Sequence, residues 1–183
     1  MLVPAEVWTV ARAEEGNAVL IRPVGSDIAV PIIIGQPEAQ SIMIGMANHQ
    51  MPRPMTHDLL LSVVKHLSAT VSRVEITELK EGTFYARLVL NRNGKDLSID
   101  SRSSDCIALA VRIKCPIYID EHVVDEAGVS VNIITSSAES YKSGKEDELK
   151  QLKEQLKIAV DEENYEEAAK LRDKISELEK EIQ

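Results

Sequence analysis

The chain has little cysteine: Cys106 and Cys115 stand among aliphatic residues without CxxC spacing. Neither a disulfide framework nor a zinc site is indicated, and both thiols are expected to be buried and reduced. Long apolar runs are missing too. The longest, Ile28 to Ile34, is far too short to span a bilayer, and Met1 to Val10 lacks the basic start and continuous apolar stretch of a secretory signal. A cytoplasmic protein is expected. There is no basic excess, since 21 Lys and Arg against 30 Asp and Glu give a net charge of −9. Proteins that bind nucleic acid by bulk electrostatics show the opposite balance, so any such site here has to be local. There is no P-loop, no G-x-G-x-x-G and no G-x-S-x-G elbow, and His49, His66 and His122 show no metal-ligand spacing. NTPase, dehydrogenase and serine-hydrolase readings therefore lose support.

What is present suits a globular protein. A hydrophobic fraction of 44% over 183 residues supports one domain with a proper core and a small appendage. The acid excess is denser in the appendage: residues 145–183 carry 8 basic and 13 acidic side chains, which leaves 13 and 17 for residues 1–144.

Residues 2–34 alternate short apolar runs with the turn signals Glu15-Gly16-Asn17 and Val24-Gly25-Ser26-Asp27, which predicts three antiparallel strands. From Gly35 the period changes. Pro37 suits a first helical turn, and Ala39, Ile42, Met43, Met46 and Ala47 recur at helical spacing, giving a helix to about His49. The prolines of Met51-Pro52-Arg53-Pro54-Met55 interrupt it, and Thr56 can cap a second helix from about His57 to Ser68. Val71 to Leu79, Thr83 to Leu90 and Lys95 to Asp100, joined at Glu81-Gly82 and Asn93-Gly94, read as a meander. Ser103 or Ser104 then caps a third helix through Ile113, which Cys115-Pro116 ends, and Pro116 to Ile119 reads as a short strand.

The expected fold class is α+β, a mostly antiparallel sheet packed with about three helices over residues 1–134. Residues 135–144 are too poor in large apolar side chains to form a core and read as a linker. Residues 145–183 then carry Leu149, Leu152, Leu156, Ala159 and Ala168, Leu171, Ile175, Leu178, Ile182 at spacings of three and four, an antiparallel helical hairpin breaking near Glu163-Asn164. A unit of about 40 residues rarely buries its own stripe, so it is expected to dimerise or dock.

Two polar clusters stand at predicted helix starts. Thr56-His57-Asp58 places a hydroxyl, an imidazole and a carboxylate where unpaired N–H groups favour an anion, with Arg53 as a clamp. Asp100 to Asp105 repeats the arrangement with Arg102 and Ser104. Capping alone explains Thr56, the serines and the first-turn carboxylates, but it needs neither His nor Arg. Taken together, Asp58, Asp100 and Asp105 are candidate ligands of a divalent cation, Mg²⁺ or Mn²⁺. Arg53, Arg102, Thr56 and Ser104 are candidate phosphate contacts, and Asp58, His57 and Asp105 candidate catalytic groups.

At these residues the chain resembles the bifunctional nuclease family, through Gly35, Glu38-Ala39 and Ile42, then Arg53 to Leu59, Ile99 to Asp105, Ile107 to Arg112 and Pro116-Ile117-Tyr118. The resemblance covers roughly residues 2–130 and departs at Ser103, where the family usually has proline. It implies hydrolysis of both DNA and RNA. The tail resembles the UVR motif of UvrB and UvrC through Leu156, Ala159, Tyr165-Glu166, Ala168-Ala169, Leu171-Arg172-Asp173 and Ile175, with Tyr165 where phenylalanine is usual. Small Ala168-Ala169 allow close helix approach, and Arg172-Asp173 can pair across the hairpin or to a second copy. The reading is a metal-assisted nuclease of DNA and RNA whose tail binds a protein partner or a second copy, with a homo-oligomer expected. Two others stay open: a non-enzymatic anion-binding adaptor in DNA repair or proteolysis, and a structural oligomer in which the clusters buttress an interface.

Overall fold

The computed structural model describes the backbone of residues 1–13, 16–49, 51–161 and 164–182; side chains 13, 137–148, 161, 177, 178 and 180–182 lie outside the description. The chain divides into two compact units, Met1–Val131 and Asn132–Gln183.

In unit 1 the three expected N-terminal strands are β1 (Leu2–Ala13), β2 (Gly16–Pro23) and β3 (Ile28–Ile34), and β2 pairs antiparallel with both neighbours. The meander is β4 (Thr70–Lys80), β5 (Thr83–Arg92) and β6 (Lys95–Arg102). Its turns hold Glu81-Gly82 and Asn93-Gly94 at positive φ, 49° and 75°, then 53° and 76°. That is the two-residue hairpin whose twist suits right-handed strands. β7 (Ile117–Asp120) joins the two halves, parallel to β4 and antiparallel to β1. With β8 (Val129–Ser130) the order is β6-β5-β4-β7-β1-β2-β3-β8, and β4 with β7 is the parallel pair among the described residues.

Three helices pack with this sheet: α1 (Gln36–Met46), α2 (Thr56–His66) and α3 (Ser103–Ile113). Val19, Ile21, Ile42, Ile76, Ile107 and Leu109 are among the core side chains between them. α1 and α2 stop short of the expected His49 and Ser68 for one reason. Asn48 and Ser68 take left-handed backbone, and the next N–H groups, of His49 and Ala69, return to the carbonyls of Ile44 and Val64. That double closure satisfies carbonyls a longer helix would leave open. A short α4 (Glu121–Ala127), capped by Asp120 accepting from the His122 N–H at 3.0 Å, was not anticipated from the sequence. Of the two thiols Cys106 is fully buried, its pKa pushed up to about 11 by desolvation, whereas Cys115 is only half-buried.

Unit 2 consists of α5, which spans Val131–Asp161 from the end of unit 1, and α6 (Tyr165–Ile182), packed as a hairpin. Residues 135–144, expected as a linker, have helical backbone within α5. The contact between helices is Ala159, Ala168 and Leu171 with Leu152 and Leu156 at its edge. Lys153 Nζ spans the pair to Glu179 Oε1 at 2.7 Å. Glu163 lies outside the described residues. Asn164 caps α6 by accepting from the Glu167 N–H at 3.3 Å.

Candidate functional site

α1 and α2 both pack against α3, which β6 enters without a loop. Arg102 is still extended, at φ −65° and ψ 144°, and Ser103 is already helical. Arg102 and Asp105 are therefore three residues apart on one face, and Arg112 follows seven residues later, two turns along it. α1 contributes Glu38 and Ser41 by the same spacing. α2 contributes His57 and Asp58 from its first turn.

These side chains form one continuous chain of hydrogen bonds and, between His57 and Asp105, a longer ion-pair contact. Arg102 donates from Nε and Nη2 to the two oxygens of Asp105, at 2.8 and 3.1 Å, and from Nη1 to Glu38 Oε1 at 3.1 Å. His57 Nε2 faces Asp105 Oδ1 at 3.5 Å, and its Nδ1 meets Ser41 Oγ at 2.9 Å. Arg112 donates to Ser41 Oγ at 3.0 Å, to Asp58 Oδ1 at 3.1 Å and to the Ala108 carbonyl at 2.7 Å. One end is closed and the other open: Ser41 is 4% exposed and the Arg112 side chain 7%, but Arg102 is 66% exposed. Gly45 permits this closure, since a Cβ there would run into Val111 and the Arg112 side chain.

Partial burial pushes the Asp105 carboxyl up, but the Arg102 guanidinium, helped by His57, outweighs it and holds the pKa below the ordinary aspartate value. A depressed carboxyl contributes stability that is present above its unfolded pKa and is lost as the pH falls through the folded one. Asp105→Asn is therefore expected to flatten the loss of stability in acid, from about pH 4 downward. Urea unfolding followed at Trp8, in β1, measures it; an unchanged acid limb would contradict the pairing.

The placements correct several expectations. Thr56 does not cap α2: it is the first helical residue, exposed, after Met55, and Asp58 reaches back to accept the Met55 N–H at 2.8 Å. Neither Ser103 nor Ser104 caps α3. Both are buried, because the cap position falls on Arg102 at the end of the strand. Ser104 nevertheless lines, with Gly35, Glu38, Phe84 and Arg102, a recess of about 340 Å³ beside the open end. Arg53 is exposed in the loop before α2 and forms no ion pair with a described residue.

The three aspartates are not gathered. Asp100 stands opposite Arg87 in the β5–β6 register, whereas its neighbour Ile99 stands opposite Leu88 of the core. Strand alternation thus points Asp100 to the sheet face away from the helices. Asp58 and Asp105 are each engaged by a guanidinium. Among the described residues no three His, Cys, Asp or Glu side chains stand together as a metal site. Asp58, Asp100 and Asp105 therefore do not converge on one cation.

Sequence reasoning named Glu38 and Arg112 only within the family resemblance, without a site role, and missed Ser41 altogether. The available signal was Arg112 itself, the one charge in the apolar run Cys106 to Ile113. Ser41, His57 and Asp105 have the composition of a nucleophilic triad, but Ser41 is buried and bonded to Arg112, so its oxygen is not presented to a substrate. In the tail, Ala168 is buried in the helix contact, while Tyr165, Ala169, Arg172 and Asp173 are exposed. Neither Arg172 nor Asp173 forms an ion pair with a described residue.

Residues 19–132 match the bifunctional nuclease domain, and residues 146–181 match the UvrB/UvrC motif. The chain is 36% identical over 147 residues to an uncharacterized protein of Mycobacterium tuberculosis, which covers 80% of this chain and 87% of that one. It is 26% identical over 170 residues to bifunctional nuclease 1 of Oryza sativa subsp. indica, covering 82% of this chain and 51% of the plant protein. Against bifunctional nuclease 1 of Arabidopsis thaliana the identity is 28% over 175 residues, with 84% and 53% covered. The chain thus spans about half the length of these plant relatives. No helix among the described residues is long and apolar enough to cross a membrane.

Proposed function

The chain belongs to the bifunctional nuclease domain family, and on that premise we propose that it hydrolyses phosphodiester bonds of DNA and RNA at the open end of the Arg102, Asp105 and His57 chain. The observation that supports this reading most is the exposed guanidinium of Arg102, bonded to a carboxylate that also faces an imidazole. An incoming phosphodiester competes with Asp105 and Glu38 for Arg102, and Arg53, which has no ion pair with a described residue, supplies a second cation. Asp105, released from Arg102, has lone pairs free to orient a water toward phosphorus. Asp58 acts through Arg112 rather than on the substrate. The tail hairpin is proposed to bind a protein partner or a second copy through its exposed Tyr165, Ala169, Arg172 and Asp173, giving a homo-oligomer.

The test is cleavage of labelled single- and double-stranded DNA and RNA with Mg²⁺, Mn²⁺ or EDTA, beside an Asp58→Asn/Asp105→Asn variant purified identically. Cleavage by the wild type, lost in the folded variant, is expected. Equal activity in both, or none in either, would favour the anion-binding adaptor, the reading to which the net charge of −9 lends weight.

A further inference from the structure

We propose that His57 serves this site as a fixed hydrogen-bond donor, held by Ser41 in the tautomer with its proton on Nε2, and that it transfers no proton in the reaction. The tautomer follows from the contacts at both ends of the ring. Arg112 has only donors, so Ser41 Oγ must accept where they meet at 3.0 Å. The hydroxyl then has one proton to place, and the neighbour at hydrogen-bond distance is His57 Nδ1 at 2.9 Å. Nδ1 is the acceptor, so in the neutral ring the proton sits on Nε2.

The opposite end favours the same form, though its longer contact does not fix the tautomer without Ser41. Nε2 faces Asp105 Oδ1, an oxygen of an Arg102-paired carboxylate that can only accept. A bare Nε2 would set two lone pairs against each other. A general base acting here would need that bare Nε2, and a general acid would return to it after giving its proton. Both pass through a ring protonated on Nδ1, which would remove the acceptor Ser41 requires and place a lone pair against Asp105. At 3.5 Å the Nε2 contact is longer than an ordinary N–H···O bond, so its proton is weakly engaged and open to an anionic oxygen arriving beside Arg102. On the nuclease reading, on which only the identity of this ligand rests, it is a non-bridging oxygen of the phosphodiester. Ser41 is then a positioning residue.

Two measurements on the full chain test this. Long-range ¹H–¹⁵N spectra of protein labelled at histidine, with His57 assigned against His57→Gln, are expected to show a pyrrole-like Nε2 and a pyridine-like Nδ1 in the neutral ring. Ser41→Ala is expected to mix the two tautomers. A reversed or averaged pattern in the wild type, or an unchanged one in folded Ser41→Ala, overturns the proposal. In the cleavage assay His57→Gln keeps a donor nitrogen near the place of Nε2 and is expected to stay within about 10-fold of wild type, while His57→Ala loses about 100-fold, as for a single lost donor. Folded His57→Gln as inactive as His57→Ala overturns it, since a proton-transfer role would be lost in both. An inactive wild type that shows the Nε2–H signature strikes the nuclease reading and the phosphodiester ligand, not the tautomer. An active wild type with averaged tautomers strikes this inference alone.

Discussion

Replacing Arg112 with methionine is expected to destabilise unit 1 by about 2–3 kcal/mol. The side chain is buried to 7% exposure and donates to three acceptors, one on each of α1, α2 and α3. Methionine fills much of the same space, so the change isolates the lost hydrogen bonds and charge from the lost packing. Removing one partner of a fully buried pair costs about 3–5 kcal/mol. Here Asp58 is 39% exposed and can recover water, which places the cost below that range. Ser41 and the Ala108 carbonyl keep most of their loss. Arg112→Lys retains the charge but not the planar fork that reaches Asp58 and Ser41 together, and about 1–2 kcal/mol is expected. Urea unfolding followed at Trp8 reads unit 1 specifically, because Trp8 is the only tryptophan of the chain. A change below about 0.5 kcal/mol, the range of ordinary surface substitutions, would show that the closed end of the network does not hold the three helices.

That network also shows which parts of the protein could be read in advance. The meander was legible because Glu81-Gly82 and Asn93-Gly94 are local signals: the turn type depends on the two residues within it. Helices α1 to α3 were legible from periodicity, but their first residues were not, since Thr56, Ser103 and Ser104 suit a cap equally well whether or not they occupy it. The parallel β4–β7 pair joins segments about forty residues apart and has no local signature. The same applies to the site. Ser41 meets Arg112 across 71 residues and His57 across 16, and nothing near Ser41 in the chain announces either contact. Asp100 and Asp105 are close in sequence, although a strand with period two runs into a helix between them. Applying the alternation to β6 would have separated Asp100 from the helical side, as it separates Ile99 from Asp100.

Arg102→Gln is expected to reverse the pattern of Arg112: little change in stability and about a 100-fold fall in kcat/KM for phosphodiester cleavage. Arg102 is 66% exposed, and although it pairs with Asp105 and Glu38, ion pairs at that exposure contribute no more than about 1 kcal/mol. What it loses is chemistry. On the nuclease reading its fork takes hold of the phosphate and releases Asp105 in the same exchange, so glutamine removes a substrate contact and leaves the Asp105 carboxylate without its cation. Arg102→Lys keeps a charge without the bidentate geometry, and an intermediate loss of about 10-fold is expected. Raising the ionic strength should weaken the wild type more than the glutamine variant, because the screened attraction is the one the variant has already lost. Unchanged cleavage by folded Arg102→Gln, with the same salt dependence as the wild type, would move the substrate site away from the start of α3. If the adaptor reading holds instead, the same variant weakens binding of an uncleavable phosphodiester while no hydrolysis is seen in either protein. The two readings therefore differ in the reaction and agree in the residue.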